Sequence, residues 1–370
     1  PAKILPGGSL IGCVGVFPGS IDCIEMQQVT WTGELQWSFS DWVNPGQSDA
    51  ASRQHHDFQR YGNPVGFYAP GQEVVPRGRT LVLAHAQTVA PEIREPGVDD
   101  DVIYEVTWDG TLTNFEWRGA DHLDEFGLDE VAREDLRTRA QDTEYLDWLH
   151  GNTISRLGHN HWYDEGYDDL HPDHIMYSSR DANIVIIISH ETGEVVWRIG
   201  PDVAGRPEES LGQFVGQHTP HMIPTGLPGE GNVLMFDNGG AAGFGGPSTG
   251  GSPNRFTRDY SRVVEFDPIT FEIIWEYGSP SGPDFYFSAY TSSAQRLPNG
   301  NTLIAIGGDG RIIEVTPDKQ VVWEYQYTAE GSWTTAQWVY RAYRVPPEWL
   351  PASENEAFGN YASWESLFED

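Results

Sequence analysis

The chain is short of positive charge, of cysteine and of long apolar runs. Its 370 residues include only two lysines, Lys3 and Lys319, and 22 basic side chains face 55 acidic ones for a formal net charge of −33. Without a cationic surface it cannot displace counterions from phosphates, and acidic headgroups repel it, so nucleic acid and membrane surfaces are excluded as partners. The longest apolar candidate, Ile184 to Ile188, falls far short of the ~18–20 residues that a bilayer span requires. Two cysteines, Cys13 and Cys23, cannot staple a chain of this length. Neighbouring strands could bring them together, and two buried thiols are the alternative.

Aromatic residues are plentiful instead. The 14 Trp, 16 Tyr and 16 Phe suffice to fill a large core without metal, which excludes a disordered chain. An acidic, lysine-poor surface suits high salt, although a GC-rich genome gives the same bias to arginine. The chain begins at Pro1 with neither Met nor an apolar leader, the start expected once a leader has been removed or the chain trimmed. With the cysteine pair, this sets the expectation of a secreted or periplasmic protein.

Repeats define the architecture. Asn301-Thr-Leu-Ile-Ala-Ile, Gly310-Arg-Ile-Ile-Glu-Val-Thr-Pro-Asp-Lys and Gln320-Val-Val-Trp-Glu-Tyr match Asn232-Val-Leu-Met-Phe, Ser261-Arg-Val-Val-Glu-Phe-Asp-Pro and Phe271-Glu-Ile-Ile-Trp-Glu-Tyr-Gly segment by segment. Copies recur at His174 to Gly200, Asp101 to Gly119 and Leu10 to Trp42. Short apolar strands punctuated by turns and repeated in this way mean an all-β propeller or a solenoid, and units of four strands favour the β-propeller of four-stranded blades. Five blades are counted, with room for a sixth inside the insertions. Innermost strands are expected at Gln54 to Gln59, Trp148 to Leu157, Gln217 to Ile223 and Phe287 to Leu297. A fifth, Thr334 to Val345, is expected to complete the first blade and close the ring. Residues 1–370 are read as one propeller domain, with a helical insertion about 121–145 and a Gly-rich loop about 239–259. The apolar positions of the helical insertion are Leu123, Phe126, Leu128, Val131 and Leu136.

Three of the inner strands carry histidine: His55-His56-Asp57, Asp147-Trp-Leu-His150-Gly-Asn152, and Gln217-His218-Thr-Pro-His221. Inner strands converge on the central channel, where imidazoles act as nucleophiles, acids and bases, or ligands. Successive strand residues point to opposite faces, so one of His55 and His56 enters the channel, and His56 is favoured. Arg180, after Ser178-Ser179, places a planar cation suited to an oxyanion beside the His150 blade. The segment Gly158 to Asp173 holds His159, His161 and His171 with five carboxylates, but their spacing matches no ligand motif. No metal site and no cofactor are expected.

These motifs, with Phe236-Asp-Asn-Gly, Tyr260-Ser-Arg-Val-Val-Glu-Phe, Trp275-Glu-Tyr-Gly and Asp284-Phe-Tyr, occur from about Gln54 to Val345 in an order that resembles the bacterial arylsulfate sulfotransferases. The resemblance implies a propeller, six-bladed as that family is described, that moves sulfate from an aryl sulfate ester to a phenol without a nucleotide donor. It implies a sulfohistidine intermediate and ping-pong kinetics. His218 matches the nucleophile, and His150, Arg180 and His56 match the groups that polarise the sulfuryl oxygens. His55, Asn152, His221 and Tyr286 are expected to bind substrate, with Asn152 either orienting His150 or supporting a turn. The partners so implied are a small aryl sulfate and a phenol, and a homodimer is the assembly entertained. The long segment between His150 and Arg180 departs from the family pattern and implies a remodelled channel mouth. Two alternatives stand beside this reading. One is a hydrolase or lyase using the channel histidines as acid and base, with or without a metal, and the other is a non-catalytic binding propeller.

Overall fold

The computed structural model describes residues 2–18, 20–43, 49–61, 75, 77–139, 144–240, 243–244, 258–328 and 338–351. Five sheets form a ring. Blade one comprises β1 (Ala2–Ile4), β2 (Leu10–Val16), β3 (Cys23–Val29) and β4 (Leu35–Phe39). Blade two comprises β5 (Gln54–Arg60), β6 (Thr80–Ala90), β7 (Arg94–Val106) and β8 (Leu112–Arg118), and the short β9 (Leu146–Asp147) pairs parallel to β7. Blade three follows as β10 (Gly151–Arg156), β11 (Ile175–Ser179), β12 (Ile184–Ile188) and β13 (Val195–Ile199). Blade four is β14 (His218–Met222), β15 (Val233–Asp237), β16 (Arg262–Phe266) and β17 (Ile273–Tyr277). Blade five is β18 (Ser293–Arg296), β19 (Thr302–Ile306), β20 (Arg311–Val315) and β21 (Val321–Gln326).

The repeat grammar has a mechanical basis. Middle strands such as Ile184-Val-Ile-Ile-Ile are buried throughout because each lies between two neighbouring blades, a setting that favours β-branched side chains on both faces. The tryptophan near the end of an outer strand reaches the turn of the next blade. Trp197 Nε1 donates to the Pro268 carbonyl at 2.9 Å, and Trp275 Nε1 donates to that of Pro317 at 3.0 Å. Apolar clusters join blades one and two through Met26, Phe39 and Val102, blades two and three through Trp117, Ile154 and Ile186, blades three and four through Ile187, Met222 and Val264, and blades four and five through Phe236, Ala294 and Ile304.

The five blades follow the sequence expectation, but the closure differs. The inner position of blade one is taken by β1, so no C-terminal strand is needed there. Residues 334–337 of the expected closing strand lie outside the described residues, and 338–345 form no strand. That segment runs irregularly along β18, its Arg344 N–H donating to Gln295 Oε1 at 2.7 Å. Its Arg341 reaches Asp57 on the inner strand of blade two. No sixth sheet occurs among the described residues. In the helical insertion, α1 (Glu130–Thr138) is capped by Asp129, which accepts from the Ala132 N–H at 2.7 Å. Leu123, Phe126, Leu128 and, from α1 itself, Leu136 join the core between blades two and three as expected, whereas Val131 is exposed. Most of the Gly-rich loop, 241–242 and 245–257, lies outside the described residues. Cys13 and Cys23 are joined in a disulfide between β2 and β3. No described helix is long and apolar enough to cross a membrane.

Candidate active site

The inner strands of blades two, three and four each break register where histidines occur: between Gln54 and Phe58, between Gly151 and Thr153, and between His218 and His221. A left-handed residue accompanies each break, namely His56 (φ +46°), His150 (φ +49°) and Thr219 (φ +53°). Bulges of this kind turn side chains out of the pleat alternation and cluster where function holds strain.

His218 is buried. Its Nδ1 lies 2.7 Å from Asn238 Oδ1 and 2.9 Å from the Gly216 carbonyl, both acceptors, so Nδ1 carries the proton and Nε2 keeps its lone pair. Asn238 cannot turn its oxygen away, because its Nδ2 donates to the carbonyls of Ser288 at 2.8 Å and Thr291 at 3.0 Å. Burial pushes the His218 pKa down to about 3, the Asn238 contact opposes that, and the Arg180 and Arg341 cations add to it. His218 is therefore a neutral imidazole of fixed tautomer within the field of the Arg180 and Arg341 cations.

His150 is the opposite case. Its Nδ1 lies 2.6 Å from Asp147 Oδ2, whose other oxygen accepts the His150 backbone N–H at 3.0 Å. Burial alone would lower its pKa, but the Asp147 carboxylate overrides it and holds the pKa above the ordinary imidazole value. The His56 ring meets it edge to face, centroids 4.7 Å apart. Burial first, then His55 and His150, hold His56 well below its ordinary pKa. Arg180 is held beside it: its backbone N–H donates to the His150 carbonyl at 3.3 Å, and its guanidinium contacts Asp181 at 2.5 Å and lies 5.0 Å from the ring centroid of Tyr290, in the segment that leads into blade five.

The other expected substrate residues are placed differently. Asn152 does not orient His150; its Nδ2 donates to the Gln217 carbonyl at 2.7 Å and so anchors the strand that carries His218. His55 turns away from His150 and stacks on His85 at 3.6 Å. His221 is buried with Nδ1 on the Thr219 carbonyl, and burial brings its pKa down to about 4. Tyr286 packs with Phe236 and Tyr277 between blades four and five, its hydroxyl donating to the Tyr277 carbonyl at 3.0 Å, so it is a core residue and does not join the histidines. The His/Asp-rich segment folds as the short α2 (His161–Asp164) and a 3-10 turn, Asp168–Leu170, and His159 meets Asp164 in an exposed pair.

Sequence reasoning missed three participants. Arg341 pairs with Asp57 at 2.9 Å and donates to the Asn152 carbonyl. Lys3, which sequence position gave no reason to place near the site, is buried with its Nζ 2.7 Å from the other Asp57 oxygen. His85 lies on β6, one strand out from the expected histidines. Only Arg341 carried a signal, since it lies in a segment read as an inner strand.

The profile of the arylsulfotransferase (ASST) family matches residues 72–343. The arylsulfate sulfotransferase AssT of Escherichia coli O6:H1 is 26% identical over 40% of this chain, a match that takes in 29% of AssT, so the chain spans under a third of that relative's length. A Bacteroides caccae protein of unknown function shares 11% identity with TM-score 0.43, over 87% of this chain and 79% of its own. A streptogramin B lyase shares 12% with TM-score 0.38, over 89% and 68%.

Proposed function

Given that the chain belongs to the arylsulfotransferase (ASST) family, we propose that it is a transferase moving a sulfuryl group from an aryl sulfate ester to a phenol, without a nucleotide donor, through a sulfohistidine on His218. The observation that carries the reading is the state of His218, whose proton is held on Nδ1 by Asn238 and Gly216 while Nε2 remains nucleophilic. In the first half-reaction Nε2 attacks sulfur and the bond from sulfur to the aryl oxygen breaks. The electron pair stays on that oxygen, which takes a proton from His150. In the second half, an acceptor phenol returns a proton to His150 as its oxygen attacks sulfur, and the S–N bond breaks with its pair returning to Nε2. Arg180 and His56 oppose the negative charge on the sulfuryl oxygens. The buried cations also give an anionic ester a destination inside a chain of net charge −33. The Cys13–Cys23 disulfide supports an oxidising compartment, secreted or periplasmic.

The test is turnover of a chromogenic aryl sulfate with and without added phenol. We expect phenol-dependent transfer, its loss in His218→Ala, and an acid-labile sulfo group on His218 detected by mass spectrometry after donor alone. Full transfer in His218→Ala would overturn the assignment, and turnover indifferent to phenol would make the protein a hydrolase.

A further inference from the structure

Behind the channel histidines lies a second cluster that the transfer chemistry does not use. His55 on β5, His85 on β6 and Asp101 on β7 occupy three adjacent strands of blade two, with His85 and Asp101 directly paired across the ladder. His55 Nε2 is 3.1 Å from Asp101 Oδ1, and His85 Nε2 is 3.6 Å from it. All three residues are buried, these three atoms have no hydrogen-bond partner, and they lie within 4.8 Å of one another. Buried polar atoms are rarely left unmatched, and three that converge call for a shared partner.

We propose that His55 Nε2, His85 Nε2 and Asp101 Oδ1 bind a divalent cation of the Zn²⁺ class. Four-coordinate zinc with bonds of about 2.0–2.2 Å separates its ligand atoms by about 3.4 Å, and the separations of the two imidazole nitrogens from Asp101 Oδ1 bracket that figure. Two imidazoles and one carboxylate are a borderline donor set, which selects zinc-like ions over calcium or magnesium. Surrounding contacts engage the other polar atom of two of the ligands and leave His85 Nε2 and Asp101 Oδ1 for the cluster. His85 Nδ1 lies 2.8 Å from Asp22 Oδ1, which keeps that proton on Nδ1. Asp101 Oδ2 is engaged by Tyr177 Oη at 2.5 Å and the Gly151 N–H at 2.7 Å, leaving Oδ1 for the cluster.

Burial lowers the His85 pKa, but the Asp147 and Asp22 carboxylates override it and hold that pKa well above its ordinary value, so a proton offsets part of their charge, but it leaves the Nε2 contacts long. On His85 Nε2 it would face Asp101 and Asp147 oxygens at 3.6 and 3.7 Å, too far for a hydrogen bond, and the 3.1 Å approach of His55 to Asp101 lacks hydrogen-bond alignment. Asp22, Asp101 and Asp147 also crowd the site with negative charge that a divalent ion offsets. Binding requires the stacked rings of His55 and His85 to splay at their Nε2 edges. It also sets a tautomer: with Nε2 on the ion, His55 donates from Nδ1 to His56 Nδ1, 2.8 Å away, and the His56 proton moves to Nε2.

The test is binding, so its failure and that of the sulfuryl-transfer reading are distinguishable. The 370-residue chain stripped with a chelator is titrated with Zn²⁺ against a chromophoric competitor, and with Co²⁺ followed by visible absorption. We expect one ion per chain, Co²⁺ bands of a four- or five-coordinate site, and affinity that falls with pH as the imidazoles protonate. Asp22→Asn should weaken binding about 10–100-fold, and His85→Gln should abolish it. The absence of stoichiometric uptake by the unaltered chain overturns the proposal whether or not the variants fold. So does uptake that persists unchanged in folded His85→Gln and Asp101→Asn chains.

Discussion

His218 and His150 differ in what holds Nδ1, and the difference separates their protonation states. An amide oxygen and a carbonyl hold the His218 proton without charge, and burial leaves its pKa near 3. Between that value and the unfolded value of about 6.5 the unfolded chain takes a proton that the native chain does not, so His218 lowers stability as pH falls through this window. His150 has the opposite sign. Its raised pKa contributes stability that is full below about 6.5 and lost as pH rises through the folded value. For turnover the consequence is a pair of opposed limbs. kcat/KM for the donor should fall as pH rises through the His150 pKa, because the leaving oxygen needs its proton, and kcat/KM for the acceptor should rise through the same pKa. Asp147→Asn removes the carboxylate that raises this pKa, and we expect both limbs to move to lower pH. Initial-rate profiles with each substrate varied measure the shift, and limbs that stay in place would remove His150 from the acid/base role.

At the level of strands, the sequence made blade membership readable and left side-chain direction hidden. Apolar runs, turn residues and outer-strand tryptophans marked the strands because each unit must bury the same faces against its neighbours. Period-two alternation then allowed only one of His55 and His56 into the channel, whereas the irregularity between Gln54 and Phe58 redirects both. His55 goes to His85 and Asp101, and His56 to His150. A bulge depends on backbone torsion and cross-strand register, and neither is written in residue type when histidine and threonine occupy left-handed positions. Cross-strand register likewise hid His85, which neighbours Asp101 only after the strands pair. Asn238 shows how one element fixes the chemistry of another, since it follows β15 and is held by carbonyls of the segment leading into β18. Asn238→Leu leaves His218 Nδ1 with the Gly216 carbonyl and frees the ring to reorient. We expect kcat to fall by roughly two orders of magnitude with little change in donor KM. Urea unfolding should report a loss of about 1–3 kcal/mol for the broken buried contacts. Unchanged kcat in a folded variant would show that the tautomer is fixed elsewhere.

Across the whole molecule, the seam between blades five and one is built differently from the other four. Those four have apolar cores of residues from both blades, and among the described residues the seam from five to one has no such cluster. Trp323, equivalent to the tryptophans that reach the next blade from β13 and β17, is instead 43% exposed with the Arg344 guanidinium over its ring. Residues 338–351 act in place of a core. Their backbone meets Gly307 and Ser292 of blade five, Arg341 reaches Asp57 of blade two and Asn152 of blade three, and Trp349 and Pro351 lie against Gly8 of blade one. The repeat pattern predicted a strand here because a ring needs closure, but one buried ionic knot, Arg341–Asp57–Lys3, ties the inner ends of the blades together. Removing one member of a buried pair leaves its partner's charge under-compensated, and among the described residues Lys3 and the Phe58 and Ile154 N–H groups would remain on Asp57. Arg341→Met should therefore lower unfolding free energy by about 3 kcal/mol, read from the denaturant midpoint at constant m. The same change removes a cation that depresses the His218 pKa, so that pKa should rise, an upward shift that NMR titration of the imidazole can follow. A variant as stable as the parent would mean that the tail rests on the ring without closing it, and a stable variant with the His218 pKa unmoved would place Arg341 outside the electrostatics of the site.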